Sequence, residues 1–302
     1  MSELRIIPEN PCYILSAASV CHGEDEVPMA EPRMALEPDY RAAIADANLR
    51  RRMGRLLKMA VYCGLKALDG VAAEHVSGII TSTGIGFIKD TESFADSIFD
   101  RDEELLNPSP FMQSTFNTAS GYLALMRKIR AYNTTYVQRA SGFASAFADA
   151  VMLLADEPGK DVLVGGFDEV TPEVDIVRRR LGIYRDSTGG YMPLGEGAGF
   201  FLLSGRQGMA RLCGMAPASD NVSDFENACL EGIQMNGRKL RVEDVETARC
   251  SGMVPRYGAF CSMLPVMMAD SIASVTAPVL YMDDVNPDGL MVLLVPDNGA
   301  AI

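Results

Sequence analysis

Tyr136-Val-Gln-Arg-Ala-Ser-Gly-Phe-Ala-Ser-Ala-Phe147 reads as an apolar strand that passes through a tight turn of small residues into a helix, with Ser141 at the bend. Such a turn presents one side chain, backed by main-chain N–H groups, at the open N-terminus of a helix, where negative charge is favoured. That is a position for a nucleophile. A plainer role fits the same residue, because serine at a helix start is a good cap, worth about 1 kcal/mol. Along the helix Phe143, Phe147, Val151 and Leu154 fall on one face, while Ala140, Ala144 and Ala148 form a stripe that permits close packing, and Pro158-Gly159 ends the element.

Working outward, strands and helices alternate. Residues 12–20 and 77–82 read as buried strands, and between them Leu49, Met53, Leu56, Leu57, Ala60, Leu65 and Leu68 recur at helical spacing. Residues 91–100 form a short acidic helix, and Asn107-Pro-Ser-Pro110 breaks the chain, since proline lacks a donor and restrains the residue before it. Residues 117–130 resume as a helix with Leu123, Met126 and Ile129 on its apolar stripe. A second set of strands is expected at 197–203, 211–215, 279–283 and 290–295, with helices near 223–235 and 264–275. This is the order of an α/β architecture.

Composition bounds the function. About half of the 302 residues are apolar, enough for one large domain or two fused halves. A net charge of −13 argues against nucleic-acid binding, which neutralises phosphates with clustered Lys and Arg. No apolar run approaches the roughly 20 residues needed to span a bilayer, and Met1-Ser-Glu-Leu-Arg-Ile lacks the basic and apolar regions of a signal peptide, so the chain reads as cytoplasmic. Cys12, Cys21, Cys63, Cys213, Cys229, Cys250 and Cys261 are scattered and form no C-x-x-C pair; neither a disulfide framework nor a metal site is indicated.

Several segments, in order, resemble the β-ketoacyl-ACP synthases of the thiolase fold. Ala140-Ser141-Gly142-Phe143 stands where that family carries its acyl-accepting cysteine in an Ala-Cys-Ser-Ser pattern. Arg51-Arg-Met-Gly-Arg-Leu-Leu-Lys58 is similar to the opening of an early family helix, and Gly78-Ile-Ile-Thr-Ser-Thr-Gly-Ile-Gly86 to the following strand and glycine turn. Residues 102–121 are similar to the segment that crosses the dimer interface. Asp161-Val-Leu-Val-Gly-Gly-Phe-Asp-Glu169 matches the Val-Gly-Gly-x-Asp/Glu strand end, and Gly195-Glu-Gly-Ala-Gly199 the Gly-Glu-Gly-Ala strand start. The resemblance implies a single thiolase-like layered αβαβα domain over residues 1–302. It has two similar halves, about 1–185 and 186–302, the second shortened between Ser204 and Tyr257.

The family's chemistry needs a thiolate for the acyl chain and two histidines, or a histidine and an asparagine, for the malonyl carbonyl and its enolate. Cysteine suits the first task because its pKa of about 8.5 falls at a helix N-terminus, whereas a serine hydroxyl needs an adjacent base. The only histidines, His22 and His75, precede Ser141, and Arg256-Tyr-Gly-Ala-Phe-Cys-Ser-Met-Leu-Pro265 puts Ala259 in the place of a family histidine. All three groups are missing. The resemblance then implies a non-condensing subunit like the chain-length factors of type II polyketide and aryl-polyene systems. Its partners would be an active ketosynthase, or a second copy, and an acyl carrier protein; no cofactor is implied. Phe111, Met112, Phe116, Gln138 and Phe143 are its candidate cavity and interface residues. Two other readings stay open: a serine-dependent acyltransferase or thioester hydrolase using Ser141 with helix N–H groups as an oxyanion hole, and a homodimeric acyl- or carrier-protein-binding module.

Remaining motifs have plain explanations. Gly84-Ile-Gly86 lacks the GxGxxG or Walker context of a phosphate loop. Asp168, Glu169 and Glu196, at strand ends, read as structural or solvated carboxylates, His75 as a surface loop residue, and Cys21-His22 as too few ligands for a metal.

Overall fold

A computed structural model describes residues 5–23, 27–101 and 104–297. The segment Met1–Leu4 and Asp102 and Glu103, the first two residues of the segment expected at the interface, lie outside them. The strands are β1 (Tyr13–Val20), β2 (Val76–Ser82), β3 (Tyr132–Tyr136), β4 (Asp161–Asp168), β5 (Gly197–Ser204), β6 (Ala210–Pro217), β7 (Gln234–Met235), β8 (Arg238–Lys239), β9 (Glu246–Arg249), β10 (Val279–Met282) and β11 (Leu290–Pro296). The helices are α1 (Ala47–Arg52), α2 (Arg55–Ala67), α3 (Ile88–Asp100), α4 (Pro108–Gln113), α5 (Thr118–Arg127), α6 (Ser141–Asp156), α7 (Pro172–Leu181), α8 (Val222–Leu230), α9 (Cys250–Tyr257) and α10 (Met263–Ser271).

Nine strands form one mixed sheet in the order β3-β2-β4-β5-β1-β6-β11-β10-β9, and β7-β8 is a separate hairpin. The large sheet is two related groups joined where β1 meets β6 at only Tyr13↔Arg211 and Ile14↔Ala210. In the first group β2 and β4 are parallel, β5 runs against β4, and β1 runs against β5. In the second, β9 and β10 are parallel, β11 runs against β10, and β6 runs against β11. The pattern repeats, with one strand fewer: among the described residues nothing in the second group corresponds to β3. Because β5 pairs with β4 and β1, it belongs to the first group, which therefore extends through Ser204; a division near 185 separates β5 from its own partners.

Three apolar clusters give the layers. Leu56, Leu57 and Ala60 of α2 and Leu123 of α5 pack on the outer face of the first group, with Ile79, Leu163, Phe200 and Leu202. Phe143, Phe147 and Val151 of α6, with Val266 and Met267 of α10, fill the space between the two groups, touching Val164, Phe201 and Val292. Phe225 and Cys229 of α8 cover the outer face of the second group over Met291 and Leu293. Strand residues alternate between these clusters, as a period of two demands, and each buried Phe or Leu contributes about 1.5–3 kcal/mol. The result is helix, sheet, helix, sheet, helix. Among the described residues no helix is long and apolar enough to cross a membrane.

Local departures from the sequence reading have physical causes. Met53-Gly54 splits the first long helix into α1 and α2, with Asp46 accepting from Asn48 and Leu49 N–H to cap α1. The expected break at Asn107-Pro108 is instead a helix start, because Asn107 caps Ser109 N and proline is at home in a first turn. α7, which the sequence reading passed over, is capped by Thr171, carries Glu173 and Asp175 in its first turn and Arg178–Arg180 in its last, and ends at Gly182 with φ 66°. α9 contains Pro255 and so lacks a clean helical signature.

Candidate functional site

Four segments converge at the ends of β2, β3 and β4. The turn 83–86 follows β2, and Thr83 N–H donates to Tyr136 O at 3.0 Å, tying it to the end of β3. Gly142, at the start of α6, lies against both, so that a Cβ there would be 3.3 Å from Tyr136 O and 3.7 Å from Thr83 O. Asp168, the last residue of β4, accepts from Thr83 Oγ1 (2.9 Å), Gly84 N (2.9 Å), Ile85 N (3.2 Å) and Ser262 Oγ (2.7 Å), the last from the loop before α10. This carboxylate joins three segments. Burial raises its pKa, against the four donors that favour its charged form. The glycine turn is no anion cradle, because Asp168 takes the N–H groups of Gly84 and Ile85 and Thr83 Oγ1 takes that of Gly86.

Ser141 sits at this junction as the first residue of α6, not as its cap. Ala140 is the N-cap and offers no side-chain bond, and the turn is made by Arg139 at φ 52°, a left-handed conformation. The Ser141 hydroxyl donates back to Gln138 O at 2.7 Å, and Gly142 N–H turns to Arg139 O at 3.2 Å. Its proton is held by a backbone carbonyl, which cannot serve as a base. His75 lies exposed before β2, at the far end of that strand from Thr83, roughly 25 Å by strand rise. His22 Nδ1 lies 2.9 Å from Met34 O.

The late loop is packed shut. Ala259 is fully buried, donates its N–H to Pro193 O at 2.7 Å, and pairs with Leu194 in a parallel bridge. Two residues on, Cys261 presses on the glycine turn so closely that a Cβ on Gly84 would lie 2.3 Å from its Cβ and 2.5 Å from its Sγ. Tyr184 OH lies 3.5 Å from Cys261 Sγ and donates to Asn286 Oδ1 at 3.0 Å; Asn286 Nδ2 donates to Asp283 Oδ2 at 2.9 Å. Burial, with Asp168 nearby, pushes the Cys261 thiol up to about 12, so it stays protonated and is no substitute nucleophile. Burial likewise raises Asp283 to about 6.

The remaining candidates divide. Phe143 is 2% exposed and packs in the core, its ring 5.3 Å from Phe147 and 6.4 Å from Phe201. Gln138 is exposed and accepts from Ser145 Oγ at 3.3 Å. Phe111, Met112 and Phe116 are 56%, 61% and 46% exposed, with Phe99 and Leu105 more exposed still. Phe111 leans on Phe94 at 5.1 Å, and the Cδ1–Cε1 edge of the Phe116 ring rests on Gly86, where φ is 73° and any Cβ would be 2.4 Å from both atoms. Phe116 lines an open groove of about 620 Å³ that runs between the link from α4 to α5 (residues 114–117) and Asn133, Thr134 and Thr135 of β3. β3 is an edge strand, so one side of its backbone is unpaired by the sheet. Thr83, Tyr184, Cys261, Ser262, Asp283 and Asn286 were not singled out from the sequence as site residues; only a Ser and Cys beside the histidine position hinted at them.

Residues 27–177 match the family model "beta-ketoacyl synthase, N-terminal domain". No curated protein sequence matches the chain. Among solved structures, the chain is similar to the ishigamide ketosynthase/chain length factor (14% identity, TM-score 0.68, 95% of this chain and 99% of that one). It is similar to AntDE:AntF, a type II polyketide synthase carrier protein with its ketosynthase bound to the hexaketide (14%, TM-score 0.71, 95% and 99%). A third likeness is to ketosynthase ApeO in complex with its chain length factor ApeC from Xenorhabdus doucetiae (13%, TM-score 0.55, 94% and 99%). At these identities the structures attest the thiolase fold.

Proposed function

Since the chain belongs to the β-ketoacyl synthase family, we propose that it is a non-condensing subunit that pairs with an active ketosynthase and shapes that partner's acyl cavity. The observation that carries this reading is the closed junction: Ser141 stands for the thiol with its proton on Gln138 O, and buried Ala259 stands for a histidine. A condensing site needs a thiolate and donors for the enolate oxygen, and one such donor is worth about 2.7–4 kcal/mol. None of them is at its matched position. What the chain retains is the surface: the edge strand β3 and the exposed Phe111, Met112 and Phe116. The names of similar structures, a ketosynthase with its chain length factor and a carrier protein with its ketosynthase, support an active ketosynthase and an acyl carrier protein as partners. Phe111, Met112 and Phe116 would then reach the partner's pocket as its floor or gate.

The test is reconstitution. The chain is co-expressed with a ketosynthase from the same genomic neighbourhood and assayed with carrier-bound malonyl and acyl substrates. Ketoacyl product from the pair, none from this chain alone, and a product length that shifts with Phe116→Ala support the reading. Stoichiometric fluorophosphonate labelling lost in Ser141→Ala, together with thioester hydrolysis, would transfer the assignment to a serine hydrolase.

A further inference from the structure

The helices that bear the apolar surface rest on a set of carboxyl groups with too few cations. α3 begins after the glycine turn with Phe87 as its N-cap and no side-chain cap of its own. Its Lys89 N–H is satisfied from outside by Glu169 Oε1 at 3.1 Å, from just beyond the end of β4. Asp90 of the same first turn is directed at Gly54, where a Cβ would be 2.7 Å from its Oδ2, and Gln113 of α4 accepts from Gly54 N at 2.8 Å. One turn on, Glu92 Oε1 accepts from Thr171 Oγ1 at 2.6 Å, while its Oε2 is buried with no hydrogen-bond partner. Glu196, ahead of β5, takes Arg55 Nη1 at 2.5 Å, Ala35 N and Val170 N. Arg55 is shared again with Glu37 at 2.7 Å.

The groups facing Glu169 are therefore Asp90 from α3, Arg55 from α2 and Glu196 from the approach to β5. Glu92, bonded to Thr171 two residues beyond Glu169, faces Glu173 of α7 and Asp96 of α3, with the exposed Lys89 as the cation beside it. Arg55 is committed to Glu196 and Glu37. Glu169, Asp90 and Glu92 share no arginine, although α3 offers the positive end of its dipole.

We propose that this carboxyl cluster is a proton-operated seat for α3: while it holds a proton α3 lies against the end of β4 with α4 packed on it, and on losing it the pair loosens, carrying Phe111, Met112 and Phe116 with it. The device belongs to the chain by itself and does not depend on which partner the surface meets. Burial, reinforced by Asp90 and Glu196, pushes Glu169 up to about 7, and burial raises Asp90 and Glu92 as well. In the loosened state a solvated glutamate titrates near its ordinary value. Stability from the seated, protonated group is thus fully present below that ordinary value and is lost as pH rises through about 7.

The test is hydrogen exchange by mass spectrometry on the full chain between pH 6 and 8, corrected for intrinsic exchange. Protection of amides in residues 88–113 should fall about tenfold over this range, while β4, β5 and α6 keep theirs. Glu169→Gln keeps the acceptor for Lys89 N–H and should flatten the dependence; Glu92→Gln, which removes the orphan oxygen's charge, should raise protection at pH 8. Protection of 88–113 that does not change with pH in the wild-type chain, or an undiminished dependence in a folded Glu169→Gln, would overturn the proposal. If Glu169→Gln does not fold, the wild-type profile and Glu92→Gln decide alone.

Discussion

The two strand groups of this molecule share one plan and differ in what they have kept. The first runs β3-β2-β4-β5-β1, and between β2 and β3 it carries α3, α4 and α5 with their exposed aromatic side chains. The second runs β9-β10-β11-β6, and between β9 and β10 it carries only α9, α10 and a short 3-10 turn, with no counterpart of β3 among the described residues. α6 and α10 occupy matching places between the groups, one beginning at Ser141 and the other just after Ala259, Cys261 and Ser262. The reduced half is the one from which the family draws its histidines. The full half is the one that presents an open strand edge. On the proposed reading, chemistry and surface have been separated along the line that joins the two groups.

The largest expected effect concerns the junction. Ser141→Cys restores an acyl acceptor, yet it leaves the enolate charge without two donors, each worth about 2.7–4 kcal/mol. Condensation by the isolated variant should stay below detection in a carrier-protein mass assay. Measurable ketoacyl product would mean that the second group still supplies the missing stabilisation. Next comes the closure itself: Gly84→Ala places a methyl group against Cys261, and should cost about 1–3 kcal/mol of overpacking in denaturant unfolding. Pairing it with Cys261→Gly opens the same space and should recover much of the loss, whereas no rescue would show that the turn itself, and not Cys261, is what resists.

How much of this was legible beforehand depends on the range of the interactions. The strand-turn-helix at Ser141, the buried strands and the small-residue stripe of α6 are local patterns, and the structure shows them within a few residues of the sequence reading. α7 was equally legible, with Thr171-Pro172 at its start, acids first, arginines last and Gly182 beyond, but its low apolar content drew no attention. α9 was not, since Pro255 interrupts its period. The junction was beyond reach: Thr83, Gly84, Asp168 and Ser262 are spread over some 180 residues, and only folding shows that one carboxylate satisfies them all. Phe143 misled because a helical aromatic beside a turn reads the same whether it faces a cavity or, as here, Phe147 and Phe201 in the core.

Smaller effects sharpen the surface side of the comparison. Phe116→Ala and Phe111→Ala remove half-exposed rings, so each should cost the isolated chain less than about 1.5 kcal/mol, well below the 3–5 kcal/mol of a fully buried phenylalanine. In the reconstituted pair the same substitutions should leave assembly largely intact and lengthen or broaden the products; an unchanged profile with normal assembly removes the gating role. Smallest of all, Ser141→Ala forfeits one hydroxyl-to-carbonyl bond, about 0.5–1.5 kcal/mol in thermal or denaturant unfolding, and no activity. A larger loss would show that the turn depends on it.

The central claim, that this chain keeps a family surface in order to complete another subunit, is tested most directly by native mass spectrometry of the chain co-expressed with its neighbouring ketosynthase. The account predicts a one-to-one complex that survives purification and is lost when β3 is blocked by Asn133→Pro, a substitution that removes a backbone donor on the side of the strand facing away from β2. Finding only homodimers of each protein, or a one-to-one complex indifferent to the strand edge, would contradict it.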